Sequence, residues 1–110
     1  MARGMRDFQV DVQPDRDRVI VSPVGEIDLS TAPVVLRQVT ELVDSGFTQV
    51  VLDLRQVGFV DSQGIQALMS ADQHATEHGA SLTVVVSDKV TRRALEICGL
   101  MERLDIRTSP

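Results

Sequence analysis

The chain has 110 residues, 43% apolar and 25% charged, with a formal net charge of −5, which predicts a single globular domain over residues 1–110. Three Phe, no Trp, no Tyr and no basic stretch free of acidic neighbours exclude direct nucleic-acid binding, which needs a cationic stripe and stacking platforms. No apolar run approaches about 18 residues, so no membrane span is expected. The lone Cys98 rules out an internal disulfide, and MARGMRDFQV carries no apolar leader segment, so a cytoplasmic protein is the expectation.

Phe8-Gln9-Val10-Asp11-Val12 alternates apolar and polar residues, as a half-buried strand does. Pro14 breaks it, Asp15-Arg16-Asp17 turns the chain, and Arg18 to Val24 resumes a β-branched run that completes a hairpin. Pro23 predicts an edge position or the strand's end. After Gly25-Glu26-Ile27-Asp28, Ser30 or Thr31 is placed to cap a helix with Pro33 in its first turn. Ala32, Val35, Leu36, Val39, Leu42 and Val43 recur at helical spacing, and Gly46 ends the run. Val50 to Leu54 is nearly all apolar and reads as a central strand covered on both faces.

Val57 to Gly64 reads as a turn, followed by a second helix from near Ser62 to His78 with Ile65, Leu68, Met69 and Ala75 as its apolar face. Gly79 stops it, and Leu82 to Val86 is another buried strand. Ser87 or Asp88 caps a third helix carrying Val90, Ala94, Leu95, Ile97 and Cys98, closed by Gly99. Leu104-Asp105-Ile106 supplies a short last strand. Strands alternating with helices give an α/β fold: a mixed, mostly parallel sheet with an N-terminal antiparallel hairpin and three or more helices.

The segment that stands out is Asp61-Ser62-Gln63-Gly64, between strand and helix, where ligands and partners of open α/β sheets bind. Asp61 or Ser62 alone suffices as a helix cap, worth about 1 kcal/mol. Capping does not account for Gly64, since glycine in a first helical turn costs up to about 1 kcal/mol against alanine. A glycine there bares the backbone for the close approach of another chain. A hydroxyl at a helix start is also a good phosphoacceptor, because the added charge of about −1.5 to −2 meets the positive end of the dipole. A partner pressed on that phosphate would have to desolvate it beside Asp61, so Ser62 can act as a switch without a change of fold.

Four blocks resemble the STAS domain family, in its anti-sigma-factor-antagonist branch. They are Gly25-Glu26-Ile27-Asp28, Val51-Leu52-Asp53-Leu54, Val60-Asp61-Ser62-Gln63-Gly64-Ile65, and Val90-Thr91-Arg92-Arg93-Ala94-Leu95-Glu96 with Gly99-Leu100. The similarity runs from about Val19 to Ile106. It implies a non-enzymatic regulator whose unphosphorylated form binds an anti-sigma factor, a serine kinase, and so releases the sigma factor. By position, Ser62 is the implied phosphoacceptor, and Asp28, Asp61, Ser62, Gln63 and Gly64 form the implied partner surface. Gln63 stands where many relatives have a second hydroxyl, which leaves Ser62 alone. An adaptor role in a membrane-transport or stress-signalling assembly is the alternative that the resemblance carries, and a homodimer stays open.

Two further features have ordinary explanations. His74-Ala75-Thr76-Glu77-His78 reads H-x-x-E-H, a zinc-hydrolase pattern. Only Glu96 and Glu102 follow as a third ligand, and on a helical wheel both His point opposite Ile65, Leu68 and Met69, solvated and without a cleft. No catalytic residue, metal or cofactor is therefore assigned. Cys98 fits the apolar pattern of the third helix as a buried thiol, and Glu26 with Asp28 precede a helix where acids are favoured anyway. Neither a GxGxxG nor a Walker A loop is present, so nucleotide binding is not expected.

Overall fold

The computed structural model describes residues 8–86, 93, 95, 96, 99 and 103–109. Strands β1 (Gln9–Asp15) and β2 (Arg18–Ile27) form the antiparallel hairpin, with Gln9 opposite Val24 and Asp15 opposite Arg18. Helix α1 (Ala32–Asp44) leads into β3 (Gln49–Asp53) and β4 (Val57–Val60). Helix α2 (Ser62–Glu77) then leads into β5 (Ser81–Val85), and β6 (Asp105–Arg107) closes the sheet. The order across it is β1-β2-β3-β5-β6, with β4 against β2; every pairing but the first is parallel.

The α/β class, the mixed sheet and the hairpin are thus as the sequence predicts, while three details differ. Val57–Val60 is a strand, not part of a turn. It runs parallel to β2 beyond the point where β3 leaves, so β2 is paired with β3 at Arg18–Val21 and with β4 at Gly25–Ile27. A bulge between Gly25 and Glu26 shifts the register there, and Gly25 adopts φ +122°, a conformation that favours glycine. Pro23 sits inside a long interior strand rather than at an edge, in the interval between the two parallel pairings, where neither requires its missing N–H.

The described residues contain two complete helices where three or more are predicted. The segment expected as the third lies mostly outside the described residues, Cys98 included; Arg93, Leu95 and Glu96 are helical.

The core is built from β-branched and aliphatic side chains. Val19, Val21, Leu52, Val84 and Leu68 are wholly buried, and the cluster joins α1 through Ala32, Val35, Val39 and Val43. On α2 the buried stripe is Gly64, Ala67, Leu68, Ala71 and Ala75, whereas the expected Ile65 and Met69 pack only at its margin. Small residues at this spacing let the helix axis lie close to its neighbours. No described helix is long and apolar enough to cross a membrane.

Candidate functional site

Parallel pairing builds the site. Ile27 and Val60 are register partners at the last paired rung of β2 and β4, so the chain leaves both strands side by side at one end of the sheet. One exit begins with Asp28 and the other with Asp61. The Asp61 N–H donates to the Ile27 carbonyl at 3.0 Å and locks the two exits together.

Asp61 is the N-cap of α2, with extended backbone (φ −91°, ψ −173°), and its Oδ1 accepts from the Gly64 N–H at 2.9 Å. The Asp61 carbonyl accepts from Ile65 N–H at 3.0 Å. These bonds leave the amides of Ser62 and Gln63 as the remaining free donors of the first turn. Ser62 opens the helix exposed, with Gln63 exposed beside it. The Ser62 hydroxyl therefore stands at a helix start, as the sequence predicts.

Gly64 has a different reason from the one its sequence context suggests. It is buried, and a Cβ built on it would lie 2.7 Å from Val60 Cγ1, 2.9 Å from Ile27 Cγ2 and 2.9 Å from the Ile27 carbonyl oxygen. The close approach that glycine permits is made by the chain's own strand ends. Its contribution to the loop is to seat Ser62 against β2 and β4.

The neighbouring exit is equally ordered. Asp28 Oδ1 accepts from Ser30 N–H at 3.0 Å, from Ser30 Oγ at 2.8 Å and from Thr31 N–H at 3.2 Å. Thr31 stands at the N-cap of α1 but its side chain caps nothing. The buried hydroxyl instead donates to the Glu26 carbonyl at 2.6 Å and accepts from Asp28 N–H at 2.9 Å, pinning the loop back on β2.

The Ser30 hydroxyl, followed by the backbone amides, holds the Asp28 carboxyl below its ordinary range. A lowered folded-state value contributes stability above the unfolded value of about 3.9, and that contribution is lost as pH falls through the lower folded value. Asp28→Asn is accordingly expected to reduce stability slightly at neutral pH. The urea midpoints of the two proteins should converge below about pH 3.9, and a constant offset would refute the assignment.

Two apolar side chains missing from the sequence-based site belong to this surface. Leu29 is 71% exposed between Asp28 and Ser30, and Phe59 is 46% exposed on β4, opposite Glu26. Their signal in the sequence is weak: one leucine in a polar turn and one phenylalanine in a short run. A groove of about 200 Å³ runs between α1 and α2, lined by Pro33, Leu36, Gln63, Gln66 and Ser70. The loop ends thus carry an exposed hydroxyl and two acidic side chains, with two exposed apolar side chains on the adjoining residues, of which the aromatic Phe59 is the type enriched at protein interfaces.

The other sequence candidates lie elsewhere. Glu26 is exposed. His74 and His78 are at the far end of α2, where His74 is half-buried against Asp44 rather than freely solvated.

Residues 8–110 match the family model described as the STAS domain. The chain is 27% identical over 100 residues to the anti-sigma-B factor antagonist of Bacillus subtilis, covering 91% of each protein. It is 33% identical over 81 residues to the anti-sigma-F factor antagonist RsfB of Mycobacterium tuberculosis, covering 74% of this chain and 66% of that one. The crystal structure of an anti-sigma factor antagonist from Mycobacterium paratuberculosis superposes with a TM-score of 0.83 at 25% identity, over 93% of this chain and 86% of that chain. With the family model spanning the hairpin, both loops at this end of the sheet and the last strand, this chain belongs to the STAS domain family.

Proposed function

We propose that this protein is an anti-sigma-factor antagonist, a binding protein whose unphosphorylated form captures an anti-sigma factor and thereby frees the sigma factor. The partner is a serine kinase, and phosphorylation of Ser62 switches binding off. The observation that carries this reading is Ser62 itself: exposed at the first position of α2, with its loop fixed by the Asp61–Gly64 and Asp61–Ile27 hydrogen bonds. The relatives named as antagonists supply the partner class.

In this reading Asp28, Asp61, Ser62 and Gln63 face the partner, Leu29 and Phe59 add apolar contact, and Gly64 holds the loop from beneath. The chain is the kinase's substrate and ligand and performs no chemistry of its own. A phosphate of charge about −1.5 to −2 would stand between two acidic loops on a protein already at −5. Helix α2 meets it with the positive end of its dipole, but a partner surface must strip its water.

Incubation with the cognate kinase and ATP, followed by phosphopeptide mapping, is expected to place the phosphate on Ser62 and to leave Ser62→Ala unmodified. Modification at another residue overturns the assignment. Recovery of transporter subunits instead of a kinase in a pull-down would favour the adaptor role.

A further inference from the structure

We propose that Asp44, His74 and His78 form a binding site for one divalent transition-metal ion of the zinc type. Asp44 ends α1, His74 lies in the last turn of α2, and His78 follows that helix as its C-cap. One potential ligand atom from each falls within 4.8 Å of the other two.

The detail of the two imidazoles supports ligation. His78 Nδ1 lies 2.8 Å from the His74 carbonyl oxygen. A carbonyl only accepts, so Nδ1 carries the proton and the neutral ring keeps its lone pair on Nε2. Donation of the second ring nitrogen to a backbone carbonyl is how metal-ligating histidines are held in tautomer and orientation. The two rings stack with centroids 4.1 Å apart and planes at 27°, which holds the imidazoles side by side. His74 Nε2 stands 2.8 Å from Asp44 Oδ1, so these two donor atoms already lie side by side.

Two imidazoles with one carboxylate suit zinc, nickel, copper or cobalt rather than magnesium or calcium, which take oxygen ligands. Ligand bonds of about 2.0–2.2 Å bring tetrahedral donors to roughly 3.3–3.6 Å of one another. Asp44 and His78 are both exposed, so side-chain rotation can open the 2.8 Å His74–Asp44 pair and bring the remaining donors to that spacing. The third ligand comes from α1, upstream of the H-x-x-E-H run; among the described residues neither Glu77 nor Glu96 belongs to the group. Three protein ligands leave a fourth position for water. The exposed setting suits a clamp between two helix ends, 30 residues apart in the chain, and gives no reason to infer hydrolysis. The site lies at the opposite end of α2 from Ser62, about 20 Å away, so metal binding and partner binding are separable.

Calorimetric titration of the untagged, chelator-treated full chain with Zn²⁺ tests the site, with the visible absorption of Co²⁺ as a report on coordination. Saturable uptake of one ion per chain is expected, together with a higher melting midpoint. His78→Ala, at an exposed position, should weaken uptake at least about tenfold. His74→Ala and Asp44→Asn should do the same. No saturable uptake, or uptake unchanged in His78→Ala or Asp44→Asn, overturns the site.

Discussion

Gly64→Ala is expected to destabilise the protein by about 2 kcal/mol, lowering the melting midpoint by roughly 5–15 °C. Two effects oppose each other. Alanine in a helix is better than glycine by about 0.5–1 kcal/mol, which alone would make the variant more stable. Against this, the new methyl would meet three atoms at 2.7–2.9 Å, and overpacking a well-filled site costs typically about 1–3 kcal/mol. The cost belongs near the top of that range because one of the three atoms is the Ile27 carbonyl oxygen. That oxygen already accepts from Asp61 N–H, so moving it disturbs the bond between the two exits. Val60 and Ile27 are buried and cannot swing aside.

Gly58→Ala is the matched control, since nothing lies within 4 Å of a Cβ built there. Urea unfolding should show a large loss at Gly64 and almost none at Gly58. Equal effects would defeat the steric account. A stable Gly64→Ala that only binds its partner poorly would instead restore the reading in which glycine bares the backbone to another chain.

What the sequence made legible follows from how local each signal is. Period-two alternation exposed the hairpin, and the apolar run Val50–Leu54 exposed β3, because both patterns are complete within a few residues. β4 escaped because Val57-Gly58-Phe59-Val60 is only four residues long and holds a glycine, so it reads as a turn. Its pairing with β2 depends on a bulge at Gly25 more than 30 positions earlier. The site divided in the same way. Asp61 and Ser62 could be placed because cap and helix start are neighbours in the chain. Gly64 is costly by local helix propensity, yet its reason lies in Ile27, which no local window contains. Thr31 offered itself as a cap, but a buried hydroxyl facing both Glu26 and Asp28 serves the loop better than the helix. The wheel of its own helix places His74 in water because it shows no partner; Asp44 arrives from α1.

Ser62→Asp is expected to bind the anti-sigma factor at least tenfold more weakly than Ser62→Ala, with both variants as stable as the parent protein. The separation of affinity from stability is the core of the expectation. An acidic residue in the first turn of a helix is favoured by about 0.3–1 kcal/mol at an exposed position, and Ser62 is exposed, so the folded chain accepts the charge without loss. The complex does not. A like-charge or unpaired-charge mismatch buried at an interface costs several kcal/mol, and tenfold corresponds to only about 1.4 kcal/mol. Aspartate brings one negative charge where a phosphate brings about −1.5 to −2, so phosphorylated protein should be weaker still. Alanine removes the hydroxyl but adds no charge, and should retain binding. Calorimetry with the partner, paired with urea unfolding of each variant, distinguishes the cases. Equal affinities of Ser62→Asp and Ser62→Ala would defeat an electrostatic switch at this position. Loss of affinity accompanied by loss of stability would mean that the charge acts on the fold of α2, against the dipole argument, rather than on the interface.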